Sequence, residues 1–556
     1  MIPRERREQL LALSRRGQQV LFLAAATGVV TGLVVSAFEY TVFEVVYGEL
    51  FEASIAVRAV APIVGLVVAA LALRYVGRGT SPVTTDDYIS RFHAKHRPTE
   101  GRAVISRLIA SAATLGSGVS LGFEGPSISA GSSIGAAIQA RLSRFFSRAD
   151  VNVLLVAGAA AGVAAIFRAP ATGVVFALEV PYRDDLARRM LLPASIAAAA
   201  SYLTFVALLG TEPLLSVSGD PEFALSELLA SLALGVLCGA GARLFSIGIG
   251  RAKHAADDRD PVVAALVAGG LLAALAVISE VVYGQPFTLG TGYDNIVWAL
   301  DPTRSLGLVA GLFVFRAAAT LVSVGGRGVG GLFIPLVVQG ALLGRLVGGA
   351  FDETNRTLFP LIGIAAFLGA GYRVPLAAVM FVAESTGRPG FVVPGLIAAV
   401  TAQLFMGRFS VSSEQVGTRL GHLERRFSLP IATAMRTDVL TVPPDATLQE
   451  FFWNHMIGAR QRSSPVVDGA RYLGTIRMDE LGEVIREEWG DTLVTELMRS
   501  DLPQARPDWT LRQAVEAMDT SDLDRLSVVD PQGLFIGVVT LEEIVKLDDI
   551  LDATDE

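Results

Sequence analysis

Charge is scarce in this chain. Charged residues make up 18% of its 556 residues and hydrophobic residues make up 52%, whereas soluble domains average about 25% charged residues. The chain also contains 56 glycines, an abundance that is typical of closely packed transmembrane helices. The composition therefore predicts a multi-pass integral membrane protein surrounded by lipid bilayer.

Cysteine and histidine are scarce as well. The single cysteine, Cys238, excludes a disulfide framework. The five histidines form no pair at i,i+4 spacing, so we expect no metal site. No Ser/His/Asp set or phosphate-binding loop is apparent, and the basic footprint that nucleic-acid binding needs is missing. We therefore expect neither an enzyme nor a nucleic-acid-binding protein.

The net charge of −8 is unevenly distributed along the chain. Residues 431–556 contain 25 acidic and 11 basic residues, a balance of −14, and the remainder contains 29 acidic and 35 basic residues, a balance of +6. The first 18 residues include five arginines without the apolar core of a signal peptide, so we expect no cleavable signal and a cytoplasmic N-terminus. The pattern predicts a weakly basic membrane part followed by an acidic soluble tail.

The membrane part is irregular. Its eleven apolar runs, between residues 20 and 405, differ widely in length, and several are shorter than the roughly 20 residues that cross a bilayer. Non-helical backbone at membrane depth is stable only where protein buries it or water borders it. Broken helices that meet near the midplane form ion sites in many transporters, usually between inverted repeats. Hydropathy predicts two such repeats, near residues 18–209 and 225–409.

One carboxylate interrupts the apolar stretch 115–130. Glu124 is its only charged residue and lies in Gly122-Phe-Glu-Gly-Pro126. An ionisable residue at membrane depth is energetically costly and indicates a functional site. Pro126 is suited to open a helix, and the free N–H groups of a helix N-terminus favour an anion. The alternative is an acidic first turn in an ordinary external loop.

Two further glycine-to-proline junctions follow the same pattern, at residues 77–82 and 328–335. Each is predicted to offer free N–H groups before a proline-opened helix. The basic segment 77–107 is predicted to be cytoplasmic, so Glu124 is expected to approach a pore from the outer side. A cation site would need several converging carboxylates or carbonyls. Because acidic residues are few in the apolar runs, the three junctions favour an anion site.

These motifs resemble those of the CLC family of chloride channels and proton-coupled chloride transporters. Gly122-Phe-Glu-Gly-Pro126 is similar to the family's Gly-Arg-Glu-Gly-Pro, and Gly331-Leu-Phe-Ile-Pro335 matches its Gly-x-Phe-x-Pro. The segment 167–179 resembles the one that leads to the family's inner glutamates. The resemblance implies an all-α membrane fold of about 18 helices in two inverted repeats, many broken or tilted. It also implies a homodimer with one pore per subunit, in a prokaryotic plasma membrane with both termini cytoplasmic.

The resemblance implies the residues of an anion pathway. Glu124 would be the gate, whose carboxylate occupies an anion site and leaves it when protonated or displaced by chloride or another small anion. The backbone N–H groups of Leu332 and Phe333 would bind the central anion. The expected anion-binding residues are Phe123, Gly125, Gly331, Leu332, Phe333, Gly79, Thr80, Ser81 and Ser412.

Three positions depart from the family pattern. Aligning on Pro82 places Gly79 where the family has its central serine, with Thr80 and Ser81 as the nearby hydroxyls. Ser412 stands where a central tyrosine is expected, which would leave the inner gate wider.

Val180 replaces the glutamate that usually relays protons on the inner side, and valine carries no proton. We therefore predict channel-like chloride conduction. The alternative is a chloride/proton antiporter with a non-standard inner proton path. An alternative from another class, a cation transporter regulated by CBS domains in the acidic tail, would need more Asp or Glu residues within the membrane. Glu384 is interpreted as a helix-packing or capping group.

The acidic tail contains an internal repeat. Pro444-Asp-Ala-Thr-Leu448 recurs as Pro507-Asp-Trp-Thr-Leu511, which indicates paired supersecondary units. The pattern resembles a tandem pair of CBS domains with a cytoplasmic α/β fold. The domain prediction is a cytoplasmic segment 1–17, a transmembrane domain 18–425, and CBS motifs at 431–488 and 494–550.

CBS pairs in general can bind adenine nucleotides. Their ribose contact is usually an Asp in Gly-x-x-Thr/Ser-x-x-Asp, but here Glu480 follows Arg477, and Glu543 follows Thr540. Two interpretations stay open: a dimerising structural module that needs no cofactor, which we favour, and an adenine-nucleotide sensor that uses these four residues.

Overall fold

The computed structural model divides the chain into two units, Met1–Arg419 and Leu420–Glu556. We call them the membrane unit and the tail unit and describe each by itself. Side chains are described from residue 17 onward. The described residues are 4–94, 101–143, 146, 152–212, 214–215, 223–301, 303–350, 357–417, 427, 429–459, 461–521 and 523–547.

The described part of the membrane unit is built from seventeen α-helices. π-helical turns at Tyr40–Tyr47 and Ala72–Val76 follow α1 and α3, and 3₁₀ turns at Arg188–Met190 and Pro389–Phe391 precede α9 and α17. In chain order the helices are α1 (Arg4–Glu39), α2 (Gly48–Glu52), α3 (Ile55–Leu71), α4 (Thr85–His93), α5 (Gly101–Gly116), α6 (Glu124–Arg141), α7 (Val153–Ile166), α8 (Pro170–Glu179), α9 (Leu191–Leu209), α10 (Leu225–Asp257), α11 (Pro261–Tyr283), α12 (Tyr293–Leu300), α13 (Leu306–Gly325), α14 (Phe333–Ala350), α15 (Leu358–Tyr372), α16 (Pro375–Thr386) and α17 (Val392–Met406).

Helix length confirms the irregular pattern predicted from hydropathy. Eight helical segments among the described residues are long and apolar enough to cross a membrane. Four further apolar helices, α7, α8, α15 and α16, have only 10 to 15 residues, and a crossing needs about 20. These short helices bury most of their residues inside the protein.

Close helix packing repeats between the two halves. Helix α6 approaches α7 so closely that a Cβ on Gly131 would collide with the carbonyl oxygen of Gly158, and the same holds between Gly340 of α14 and Gly363 of α15. Such contacts require glycine because the backbones touch. The α6–α7 and α14–α15 pairs, one in each predicted half of the membrane unit, therefore share the same kind of glycine-mediated backbone contact.

Two glutamates cap each other's helices across the repeats. The Glu384 carboxylate, near the end of α16, accepts hydrogen bonds from Ala171 N (2.9 Å), Thr172 N (2.7 Å) and Thr172 Oγ1 (2.6 Å) in the first turn of α8. Reciprocally, Glu179 at the end of α8 accepts from Ala377 N (3.0 Å) in the first turn of α16. The capping interpretation of Glu384 is confirmed, and both carboxylates satisfy N–H groups that would otherwise be unpaired in an apolar environment.

The tail unit contains two small antiparallel sheets, β2–β3 and β1–β5–β4. The first strand of the chain therefore pairs with the last one, and Thr475 of β3 forms a bridge with Arg499, which precedes the second repeat motif. The two repeats are thus intertwined. The elements are β1 (Met435–Arg436), α18 (Leu448–Glu450, continued by π-helical turns at Phe451–Gly458), β2 (Ser463–Asp468), β3 (Arg471–Arg477), α19 (Val494–Leu497), α20 (Leu511–Thr520), β4 (Arg525–Val529) and β5 (Phe535–Thr540), with 3₁₀ turns at Ile431–Thr433, Met478–Glu483 and Arg486–Glu488.

Candidate functional site: two helix ends and a buried carboxylate

The starts of α6 and α14 meet through their backbones. Gly122 N donates to Gly331 O (2.9 Å) and Gly331 N donates to Gly122 O (2.8 Å), which forms an isolated antiparallel bridge. We call this pairing the glycine bridge. It brings Glu124, the first residue of α6, beside Phe333, the first residue of α14, although 209 positions separate them. Both helix N-termini therefore face one small region.

The Glu124 carboxylate occupies this region. Its side chain is fully buried, and Phe333 N donates to Oε1 at 2.6 Å. A Cβ on Gly331 or on Gly122 would collide with the carboxylate, so both bridge residues must be glycine for the carboxylate to lie there. The negative charge is placed at the N-terminus of α14, where free N–H groups and the helix dipole stabilise an anion.

Phe123 occupies the position where the family motif has an arginine, and its side chain lies among aromatic rings. It is buried, and its ring packs edge-on against Phe38 (6.0 Å between centroids) and Phe43 (5.9 Å). Edge-to-face pairs at these separations are favourable for aromatic rings. The Phe123 ring therefore anchors the start of α6 to α1 and to the π-helical turns that follow it.

The junction at residues 77–82 differs from the prediction. Helix α4 begins at Thr85, three positions after Pro82, so the expectation that this proline opens the helix is wrong. Thr80 donates its hydroxyl to Gly77 O (2.6 Å), and Gly79 and Ser81 are exposed. The alignment on Pro82 failed because four residues, rather than one, connect Thr80 to the helix.

Thr84, immediately before α4, lies beside the glycine bridge. The Thr84 hydroxyl donates to Gly330 O at 3.1 Å, and a Cβ on Gly125 would collide with the Thr84 Oγ1. The residue before α4 is thereby bonded to the neighbour of Gly331 and packs against the first turn of α6. Thr84 is not among the residues predicted from the sequence. The signal that indicates it is the Thr-Thr pair immediately before two acidic residues, a usual start of a helix.

Tyr372 contacts the second amide of the site. Leu332 N, next to Phe333, donates to the Tyr372 hydroxyl oxygen at 3.4 Å. Tyr372 is buried, and its ring packs edge-on against Phe176 at 5.5 Å. Ser412 was expected near this amide; it is buried, but its hydroxyl accepts a hydrogen bond from Glu414 N (3.3 Å).

Gln415 connects the backbone of Tyr372 to that of Val180, the position at which the inner proton-relay glutamate is replaced. Its Nε2 donates to Tyr372 O (2.7 Å) and to Val180 O (2.9 Å). The Val180 side chain is fully buried and apolar. The backbone around the expected inner relay is therefore fixed to the end of α15 by one amide side chain.

Two carboxylates in the first turn of α4 are paired with cations. Asp86 accepts from Lys253 Nζ at 2.8 Å, and Asp87 forms an ion pair with Arg107 at 3.0 Å. Unpaired carboxylates at a helix start would repel an incoming anion. The ion pairs reduce this repulsion next to Thr84 and Thr85.

The four residues of the tail unit that were candidates for nucleotide binding form hydrogen bonds or ion pairs with residues close to them in the chain. The Glu480 carboxylate accepts from Arg477 N (2.5 Å), and burial raises the pKa of Glu480 above its ordinary value. In the second repeat, Glu543 N donates to the Thr540 hydroxyl (3.2 Å), and the Glu543 carboxylate pairs with Lys546 (3.3 Å). In both repeats these contacts therefore cap the helical turn that follows the strand.

Comparison with known families assigns the membrane unit. The family model described as voltage gated chloride channel matches residues 64–407, more than half of the chain. The chain belongs to the CLC family. Its CLC unit is followed by two matches to the CBS domain, at residues 431–487 and 494–549. Members of this family are anion channels and transporters rather than enzymes, and the membrane location of this CLC protein follows from its family and its apolar helices.

Curated relatives of this CLC chain include bacterial exchangers. The H(+)/Cl(-) exchange transporter ClcA of Salmonella paratyphi A is 28% identical over 429 residues, covering 72% of this chain and 88% of that protein. The protein of the same name from Salmonella typhimurium is 27% identical with the same coverage.

Solved CLC structures share the fold. A slow cyanobacterial Cl-/H+ antiporter superposes with a TM-score of 0.62 and 20% identity over 70% of this chain and 94% of that chain. A CLC-type fluoride/proton antiporter gives a TM-score of 0.62 and 22% identity over 72% and 98%. A eukaryotic CLC transporter gives 0.60 and 18% over 95% and 98%.

Proposed function

We propose that this CLC protein carries chloride and other small anions through a pore in each subunit of a homodimer, with Glu124 as the gate. The observation that carries the proposal is the Glu124 carboxylate on Phe333 N, at 2.6 Å and fully buried. A carboxylate and an anion compete for the same N–H group at the start of α14. Protonation removes the charge that holds the side chain there, and the site then becomes free for an anion.

Within this function we propose chloride/proton exchange. The curated relatives that cover most of the membrane unit are named H(+)/Cl(-) exchange transporters, and a gate that binds a proton each time it leaves the site provides the coupling. Channel-like conduction is the second candidate, because the buried Val180 side chain cannot relay protons. For a cation transporter the arrangement is unfavourable: the described residues contain no cluster of three or more His, Cys, Asp or Glu that could hold a metal ion.

Chloride and proton flux measured in the same proteoliposomes decide between exchange and conduction. We expect an imposed chloride gradient to drive protons uphill in wild-type vesicles, because in an exchange cycle protonation of Glu124 alternates with chloride binding at the site that its carboxylate vacates. Protein-free vesicles and vesicles with the proton ionophore added serve as controls. Chloride flux without uphill proton movement would assign the protein to the channels, and the absence of any chloride flux would contradict anion transport itself.

For the tail unit we propose a structural, dimerising role without a nucleotide cofactor. The support is that Glu480, Thr540 and Glu543 form local caps and ion pairs. We also propose a prokaryotic plasma membrane with both termini cytoplasmic. The arginines before the first apolar run support the cytoplasmic N-terminus, and the bacterial relatives support the prokaryotic membrane.

Adenine nucleotides are expected to leave the full-length protein unchanged. AMP, ADP or ATP at 1 mM should not shift the unfolding temperature or the chloride flux. This concentration is about a hundred times an ordinary nucleotide Kd, and binding at that ratio would stabilise the folded protein by roughly 2.7 kcal/mol. Guanine nucleotides at the same concentration control for ionic strength. A reproducible shift with an adenine nucleotide alone would establish the tail unit as a sensor.

A further inference from the structure

A second carboxylate lies close to the gate and is part of an ion pair. Glu39, the last residue of α1, pairs with Arg168, which lies between α7 and α8, and Arg168 Nη2 is 3.9 Å from Glu39 Oε1. Because the start of the chain is predicted to be cytoplasmic, the end of α1 is expected on the outer side. This is also the side from which Glu124 is expected to approach the pore. We call Glu39 and Arg168 the outer pair.

Each member of the outer pair directly follows a phenylalanine that packs against the candidate site. Phe38 precedes the carboxylate of the pair, and its ring centroid lies 6.0 Å from that of Phe123. Phe167 precedes the arginine, and its ring centroid lies 4.4 Å from that of Phe333. Phe123 precedes Glu124 in the chain, and Phe333 N binds the Glu124 carboxylate. Two ring contacts therefore hold the outer pair next to the gate.

Tyr293, the first residue of α12, lies near both carboxylates. Its phenol group is within electrostatic range of Glu124 and of both members of the outer pair. Glu44, in the π-helical turns after α1, is the other charged neighbour of Glu39, and the arginine of the pair donates to Glu212 O at 2.8 Å. Helices α7 and α9, which also pack against α1, contain no charged residue. The outer pair and Glu124 therefore form one electrostatically coupled group.

The outer pair is loose compared with its counterpart in the second half of the membrane unit. Arg168 and Arg373 both have positive φ (52° and 57°), and each lies two residues before the proline that opens the next helix. Arg373 Nη2 binds Asp184 at 2.6 Å, whereas the outer pair is separated by 3.9 Å. Glu39 Oε2 and Arg168 Nε are buried without a hydrogen-bond partner among the described residues. Glu39 can therefore exchange a proton without breaking a strong hydrogen bond.

We propose that Glu39 is the outer proton carrier of this protein: it takes up a proton from the outer solution and transfers it to Glu124, with Arg168 as its counter-charge between transfers. Glu124 is fully buried, so a proton from the solution needs an intermediate group to reach it. In each transfer Glu39 returns to a carboxylate, and the protonated Glu124 loses the charge that holds it on Phe333 N. The reverse transfer returns the proton to the outer solution. This inference rests on the proposed anion transport with Glu124 as the gate.

Membrane vesicles of defined orientation test the proposal. Right-side-out and inverted vesicles from bacteria that express the full-length protein present its outer or its inner side to the medium, so the pH of each side can be changed separately. Chloride uptake is measured while the pH of the medium falls from about 7.5 to about 4.5, with vesicles that lack the protein as background. Glu39→Gln removes the protonatable group at nearly constant shape. Glu44→Gln is the matched control, since Glu44 is a neighbouring carboxylate that is exposed.

We expect Glu39→Gln to lower the chloride flux at low outer pH by about tenfold, because a positioned proton-transfer group has been removed. Its response to inner pH should match the wild type, and Glu44→Gln should keep both responses. Arg168→Gln should move the response to higher outer pH by about one unit, because a positive charge nearby favours the ionised carboxylate. Arg168→Lys keeps that charge and should restore the wild-type response.

A wild-type response to outer pH in Glu39→Gln would overturn the inference while leaving anion transport intact. Equal losses of the outer and inner responses would also overturn it, since they indicate a general defect. If size-exclusion profiles show that Glu39→Gln does not fold, the Arg168 variants decide, because an unshifted response in Arg168→Gln would exclude Glu39 as the carrier. Wild-type vesicles without chloride flux above background would instead contradict the proposed function itself.

Discussion

Glu124→Ala is expected to make chloride flux independent of pH while the flux itself continues. In the wild type, the carboxylate leaves Phe333 N only when it is protonated or displaced by an anion. A hydrogen bond to a charged group is worth about 1.5–3 kcal/mol, which corresponds to roughly tenfold to hundredfold in occupancy of the site. Without the carboxylate, this pH-dependent competition ends and uphill proton movement falls to the leak rate. Chloride and proton flux between about pH 4.5 and 7.5 in proteoliposomes measure both effects.

Glu384→Gln is the matched control for this variant. Glu384 is a second carboxylate in the membrane unit, but it binds the start of α8. The amide oxygen of glutamine can replace one of its two oxygens, and the amide nitrogen can donate to the Thr172 hydroxyl. We expect this variant to keep the wild-type pH profile. If Glu124→Ala also kept that profile, Glu124 would not be the gate, whatever its position in the fold.

Gly331→Ala should destabilise the wild type but be tolerated once Glu124 is truncated. The three nearest atoms to an added Cβ all belong to the Glu124 side chain, so the methyl group and the bound carboxylate exclude each other. Expelling the carboxylate removes its hydrogen bond to Phe333 N, and overpacking destabilises the fold further. Together they should lower the free energy of unfolding by about 2–3 kcal/mol. The same change in a Glu124→Ala background is expected to cost below about 1 kcal/mol, a coupling typical of residues in contact.

Thermal unfolding of the full-length protein in detergent, for both single variants and the double variant, measures this coupling. Flux adds a second readout, since Gly331→Ala should resemble Glu124→Ala in losing pH dependence. Gly325→Ala is the control, because an added Cβ there meets no atom within 4 Å. Equal destabilisation by Gly331→Ala in both backgrounds would show that the carboxylate does not lie over the glycine bridge.

The helix starts that carry Glu124 and the α14 amides were predictable because the signals are local. Glycine next to proline in an apolar stretch indicates a helix start, and a lone carboxylate there indicates a site. The same reasoning placed the third helix start wrongly: it took Pro82 as the first helical residue, whereas α4 begins at Thr85. A proline is compatible with a loop as well as with a first turn, and the sequence carries no information that separates the two at this position.

Tyr372 illustrates the opposite case. In the sequence it is one aromatic residue before an ordinary helix, and its distance from Leu332 along the chain, 40 residues, gives no reason to pair them. The pairing exists because α15 packs antiparallel to α14 through glycine contacts such as Gly340 with Gly363, which brings the end of one helix to the start of the other. Side chains at helix ends become neighbours only after such packing.

The sequence by itself determined the class of protein, the helix start that carries Glu124 and the internal repeat of the acidic tail, since each depends on composition, hydropathy or residues close in the chain. Only the tertiary structure decided which groups share the site. The glycine bridge and the reciprocal caps of Glu179 and Glu384 join helix ends from different repeats, and the approach of Tyr372 to Leu332 N joins two helices of the second repeat. The physical reason is that short, broken helices leave their terminal N–H and C=O groups unpaired in the membrane, and packing of the two repeats is what supplies the partners.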